Sequence, residues 1–304
     1  MRTLADLSLD IIDRILFTLD PLDVARISQT SRFFYGIIYG PLSQQFWRRL
    51  YLAQPLDDPR CTVTYLGGRR EDIDWKKELQ GIVRARTVMR HPDVCRREER
   101  SQVLRACIDL VTNVSPIASP DGVGRMSRNV RWLESHLGDG AFLERETWVA
   151  LSEEEEQLLS RLHSLYGLTR RDLDLKRRRA SQAFVYSQRQ YTAQRAYGPF
   201  MPDGSKRVDW AFVWTLVHAF GMLLVESDCE DDEYLYHCPL SLVFCQSIIP
   251  RGLNLNKEDD WAGVEGLWSI RYGFIDHREL IRKSCTLHHA GRSRMASFCP
   301  ASVQ

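Results

Sequence analysis

The stretch from Leu4 to Leu52 constrains this chain most, because it is punctuated into four short helices with more apolar side chains than so few turns can bury. Ile12, Ile15, Leu16 and Leu19 keep the i, i+3, i+4, i+7 spacing of one helix face, and Ile11 widens the stripe. Ser8 stands at the N-cap position, and Asp10 puts negative charge where the helix dipole favours it. Asp20-Pro21-Leu22-Asp23 then reads as an N-cap, a proline in the first helical position and an acid in the third. Leu22, Ala25 and Ile27 form the predicted face of that second helix. Ser31 caps a third, carrying Phe33, Phe34, Ile37 and Ile38, and Gly40-Pro41 ends it, with glycine predicted in a left-handed cap. A fourth helix presents Phe46, Trp47 and Leu50. Helices this short bury too little surface to stand alone, so these side chains must pack against the rest of the chain or against another protein.

Several pieces of this segment, in order, resemble an F-box: Leu7-Ser8-Leu9-Asp10-Ile11-Ile12, Ile15-Leu16-Phe17-Thr18-Leu19-Asp20-Pro21-Leu22-Asp23-Val24, Arg26-Ile27-Ser28-Gln29-Thr30-Ser31-Arg32-Phe33-Phe34 and Phe46-Trp47-Arg48-Arg49-Leu50. Ser8 replaces the family's usual proline, Asp10 its glutamate and Phe34 its common tryptophan, while the spacing is kept. The resemblance implies docking on the Skp adaptor of cullin–RING ubiquitin ligases. It places Leu7, Ile11, Ile12, Ile15, Pro21, Leu22, Val24 and Trp47 near that adaptor. Helices too small for their own core gain stability by sharing one with a partner. The alternative is a helical cap on the downstream domain.

At 304 residues and 35.3 kDa the chain is long enough for two domains, and 44% apolar residues supply a sizeable core. The balance of 41 basic against 40 acidic residues argues against a dedicated nucleic-acid binder. Trp210–Val225, interrupted by Thr215 and His218, falls short of a membrane span and is predicted as a buried helix. The first ten residues, with Arg2, Asp6 and Asp10, lack the apolar core of a secretory signal. The eight cysteines are scattered rather than framed. A cytoplasmic or nuclear protein with reduced thiols is expected.

Residues 54–72 read as a connection with a short strand at Cys61–Leu66. Trp75, Leu79, Ile82 and Val83 mark a helix closed by His91-Pro92. Val103 through Val111 marks another, Ser115–Gly124 a loop, and Val130, Leu133 and Leu137 a further short helix. Ser152 with Glu155 forms a capping box for a leucine-rich helix ending at Gly167, and Thr169 with Asp172 repeats that logic for a polar helix running to about Ala196. Asp228–Glu233 reads as a solvated acidic loop.

A second resemblance, to the middle region of long fungal F-box proteins, rests on Val185-Tyr186, Tyr191, Tyr197-Gly198-Pro199-Phe200, Asp203-Gly204 and Val208-Asp209-Trp210. Trp261-Ala262-Gly263-Val264-Glu265-Gly266-Leu267-Trp268 and Phe274–Leu280 are similar to the first strand of the C-terminal barrel in such proteins. Alternation at Trp268, Ile270, Tyr272 and Phe274 supports a strand. The 24 residues after Leu280 cannot complete a barrel, so a truncated chain with a non-native tail from about Ser284 is expected.

Two cysteine–histidine sets, Cys229, His237, Cys238, Cys245 and Cys285, His288, His289, Cys299, have zinc-type ligands but lack the paired spacing of a zinc site. No cofactor fingerprint and no catalytic set emerges, and His163 reads as a packed or surface residue rather than a base. Arg170-Arg171 with Lys176-Arg177-Arg178-Arg179 fits a nuclear-import signal or an acid-binding patch, but a solvated helix face is the plainer reading.

The expected protein is mainly α. It comprises an F-box-like adaptor-binding module at 1–52, a linker and helix at 53–100, a helical domain at 101–259, a β segment at 260–283 and a polar tail at 284–304. Its expected role is a non-catalytic substrate receptor of an SCF-type ligase, without cofactor or metal, partnered by the Skp adaptor and an unknown target rather than by nucleic acid or membrane. The rivals are an F-box interaction protein outside any ligase and a truncated barrel that binds or transforms a small molecule.

Overall fold

Local signals in the sequence account for where most helices begin and end. The computed structural model describes residues 7–41, 43–64, 68–115, 127–138 and 140–227, and these carry ten α-helices. The described residues fall into two units, divided within one helix between Glu155 and Glu156. The expected loop at Ser115–Gly124 (beyond Ser115), the acidic run at Asp228–Glu233, the β segment at 260–283, the tail and both cysteine–histidine sets lie outside the described residues.

The first unit starts with α1 (Leu9–Thr18), α2 (Pro21–Ser28), α3 (Arg32–Tyr39) and α4 (Ser43–Leu52). Ser8 opens α1 through its carbonyl, which accepts from the N–H groups of Ile11 and Ile12; its hydroxyl makes no capping bond. Asp20 caps α2, its carboxylate accepting from the Leu22 N–H at 2.9 Å, and Ser31 caps α3 by accepting from the Phe34 N–H at 3.3 Å. The expected inner face of α2 is corrected: Pro21, Val24 and Ser28 are buried, whereas Leu22 is exposed. Gly40 is also corrected. Its backbone is extended, with φ −69°, as expected for a residue before proline, and it is not a left-handed cap. Glycine is favoured there for a different reason, since a Cβ would fall 2.2 Å from the Gly36 carbonyl oxygen.

Trp47 locks α4 to α3 by donating its indole N–H to the Ile38 carbonyl at 2.9 Å, and Phe46 packs on Phe17 of α1. α5 (Trp75–Arg90) packs against α4 and against α6 (Arg100–Thr112), which in turn contacts α7 (Arg128–Leu137). Two side-chain ties fasten α5 to the first helices. Gln44 of α4 donates to Asp74 at 3.0 Å and accepts from the Trp75 N–H at 3.2 Å, while Arg86 of α5 reaches Asp20 at 2.7 Å. Of the expected strand at Cys61–Leu66, the described residues show only Val63, bridging Arg69 and Val114. Asp57, in the predicted connection, is buried; its carboxylate accepts from the Ser127 hydroxyl and from the Arg128 N–H, and its own N–H donates to Asn129.

Helix α8 (Glu153–Tyr166) crosses the division between the units. Its capping box forms as expected, Ser152 Oγ accepting from the Glu155 N–H and Glu155 accepting from the Ser152 N–H. It stops at Gly167, which takes φ +95°.

In the second unit, Thr169 and Asp172 cap only a single 3₁₀ turn, Arg170–Leu173, and Asp174 then caps α9 (Leu175–Tyr186). The predicted helix to Ala196 therefore ends ten residues early. The Val185 carbonyl, which a longer helix would bond to the Arg189 N–H, instead accepts from the Tyr191 hydroxyl at 2.8 Å, and the Tyr191 ring rests on Phe212. α10 (Trp210–Ser227) starts on Asp209, which accepts from the Phe212 N–H and is held by Gln157 and Arg195.

A buried polar knot sits among α8, α9 and α10. His163 bonds Asp172 at 3.1 Å and stacks on Trp214, while His218 bonds Ser181 Oγ through Nδ1 and the Asp172 carbonyl through Nε2. Burial pushes the Asp172 carboxyl up, but the bonds from His163 and Thr169 outweigh it and hold the group below its ordinary range. Among the described residues, no helix is long and apolar enough to cross a membrane.

Candidate functional site

An excess of apolar residues on α1, α2 and α3 creates a surface that the other described residues do not cover. α1 carries a broad apolar arc opposite Asp10, Asp13 and Arg14, yet only Ile12 and Leu16 are buried, leaving Leu9 and Ile11 at the edges of the arc in solvent. The Ser31 cap phases α3 so that Phe34 and Ile38 turn inward while Phe33 and Tyr35 turn out. The Asp20 cap and the Pro21 ring phase α2 so that Val24 goes in and Leu22 out.

The eight residues singled out in the sequence divide accordingly. Leu7, Ile11 and Leu22 are exposed, at 40%, 47% and 40%, and Ile15 is half-buried. Ile12 and Val24 are sealed at 0%, Trp47 at 2%, and Pro21 is also buried. The first group is open at the surface, while the second shapes that surface from beneath.

Pro21, Leu22 and Trp47 come together in the wall of an open cleft of about 320 Å³, which Tyr39 and the α5 residues Leu79 and Val83 complete. Trp47 spends its indole N–H on Ile38, so its ring offers the cleft only apolar surface. Leu7, Ile11 and Ile15 do not line this cleft. Sequence reasoning missed Leu9, Phe33 and Tyr35 as exposed apolar groups, and Leu79 and Val83 as cleft walls. The Ser31 cap could have fixed the phase of α3, but nothing local shows that α5 folds back beside α2.

Charge frames this surface. The Arg86 guanidinium holds the Asp20 carboxyl below the usual carboxylate range, and Arg49 pairs with Asp13 at 2.9 Å while lying over the Phe17 ring. The exposed groups themselves are alkyl and aryl, suited to burial against a partner rather than to proton or group transfer. Among the described residues, no cluster of three or more His, Cys, Asp or Glu side chains could hold a metal ion.

Neither a curated protein nor a solved structure matches the chain. The family model of the F-box domain, however, matches residues 4–43, the stretch that holds α1, α2 and α3. Short capped helices, a Leu-Asp-Pro-Leu junction at Leu19–Leu22 and an exposed apolar face thus coincide with that match, and the chain carries an F-box domain at residues 4–43.

Proposed function

We propose that this chain is the substrate-receptor subunit of an SCF-type cullin–RING ubiquitin ligase. Residues 1–52 form the module that docks on the Skp adaptor, and the helices beyond hold a target protein. The observation that carries the reading is the F-box match laid over helices that leave Leu22 and Ile11 exposed. Its mechanism is positional. Docking places a bound target beside the conjugating enzyme of the ligase and raises the effective concentration of target lysines there, with no catalytic residue from this chain. Such a subunit works in the cytoplasm or the nucleus.

Leu22 provides the test because it is exposed in the free chain, so a charge is tolerated there until a partner covers it. Leu22→Asp is expected to abolish co-elution with the Skp adaptor on gel filtration, a loss of about 2–4 kcal/mol of binding, while leaving the circular dichroism and thermal midpoint unchanged. The wild-type chain is expected to co-elute and, in a reconstituted ligase, to promote its own ubiquitylation. Failure of well-folded wild-type protein to bind the adaptor overturns the reading. Binding without any ubiquitin transfer favours an F-box protein acting outside a ligase.

A further inference from the structure

A second concavity, of about 740 Å³, runs along α5 and α6 and shares little with the docking cleft. Its charges are unevenly paired. Arg70 is bound by both oxygens of Glu78 at 2.7 Å, Arg84 by both oxygens of Glu99, and Arg105 by Glu154. Every arginine of the groove is thus already held by a carboxylate. What remains is Lys77 against Asp72, Asp74, Glu98 and Asp109; Asp74 already accepts from Gln44 and from the Lys77 N–H, and among the described residues no salt bridge joins Asp72, Asp74 or Glu98 to a cation.

An independent observation points to a ligand. Tyr51 lines the same groove, is 2% exposed, and packs edge-on against Trp75, yet its hydroxyl has no hydrogen-bond partner among the described residues. Burial pushes its acidity far down, so it stays a neutral O–H donor. The hydroxyl oxygen is not sealed off, so it is open to the groove, where a ligand carbonyl can take the place of water as its acceptor. The groove is also unfilled at Gly81 of α5, where a Cβ would meet nothing within 4 Å.

We propose that this groove binds an extended basic segment of a partner protein. Its lysine or arginine side chains answer Asp72, Asp74 and Glu98, and one of its backbone carbonyls accepts from Tyr51. The volume suits a short stretch of chain, lying within the range of about 300–1,000 Å³ common to ligand pockets. If the chain is a ligase receptor, this is a seat for its target, but the binding does not depend on the adaptor and is measured without it.

The test is fluorescence anisotropy of a labelled, end-blocked (Gly-Lys)₄ peptide against the full chain, with (Gly-Glu)₄ and spermine as controls. Saturable binding of the lysine peptide alone is expected. Asp72→Asn combined with Glu98→Gln should weaken it about tenfold, and Tyr51→Phe about threefold to fivefold. Gly81→Gln improves local helix propensity while filling the groove, so it should abolish binding in a chain at least as stable as wild type. Asp10→Asn with Glu153→Gln, which removes two exposed carboxylates outside the groove, should change nothing. Absence of saturable binding, equal binding of spermine, or indifference to both Gly81→Gln and the Asp72/Glu98 variant overturns the proposal. Because the adaptor is absent from every arm, a failure here leaves the adaptor reading intact, and the reverse also holds.

Discussion

Asp57 and His218 are polar residues doing work that their sequence neighbours do not announce. Asp57 sits among prolines and acids that read as a solvated connection, yet it is buried and caps the start of α7 from more than seventy positions away. No periodicity links Asp57 to Ser127, so only folding reveals the pair. His218 was legible as a break in an apolar stretch, but not as the bridge between Ser181 and Asp172. Burial holds its imidazole below the ordinary histidine value, with a smaller opposing contribution from Asp172 and a supporting one from His163 and Arg177. The unfolded chain therefore takes up a proton near pH 6.5 that the folded chain refuses. That contribution to stability is complete above pH 6.5 and is lost as the pH falls through the depressed folded value. The thermal midpoint should drop between pH 7.5 and 5.5, and His218→Gln should show a shallower drop from a lower starting midpoint. An unchanged slope would remove His218 from the account.

At the scale of elements, boundaries were the readable part and orientation was not. Asp20, Ser31 and the Ser152–Glu155 box bond their own next turn, so three or four residues of sequence contain the whole cause. On α1 the predicted stripe does contain the buried Ile12 and Leu16, but Leu9 and Ile11 widen the apolar arc opposite Asp10, Asp13 and Arg14, and nothing local shows which part of that arc stays open. α9 was overextended because the residue that claims its Val185 carbonyl, Tyr191, belongs to the turn that follows. The junction of α3 and α4 offers a paired test. Gly40→Ala drives a methyl group into the Gly36 carbonyl and should cost about 1–3 kcal/mol in urea unfolding. Gly36→Ala, inside α3 where a Cβ meets nothing within 4 Å, should instead be neutral or gain up to about 1 kcal/mol. Equal effects at the two sites would mean that helix propensity, not the close approach, decides this corner.

Over the whole described chain, the F-box domain was readable because its motif is contiguous, whereas its support from α5 was not. Residues 53–100 read as linker and helix, but that helix contributes Leu79 and Val83 to the cleft beside Leu22 and grips Asp20 through Arg86. A fragment ending at residue 52 should accordingly show weaker helical signal and a broader thermal transition than one ending at residue 155. A sharp transition of equal midpoint in both would show that α5 is dispensable to the first four helices. The joint at Asp20 has a mechanical meaning as well. The carboxylate that starts α2 is the same one that α5 holds, and Gln44 fastens the opposite end of α5 at Asp74 and Trp75. α5 is thus pinned like a beam at two points, so the bearing on which the chain leaves Arg90 is fixed to α2 and α4 rather than left to swivel.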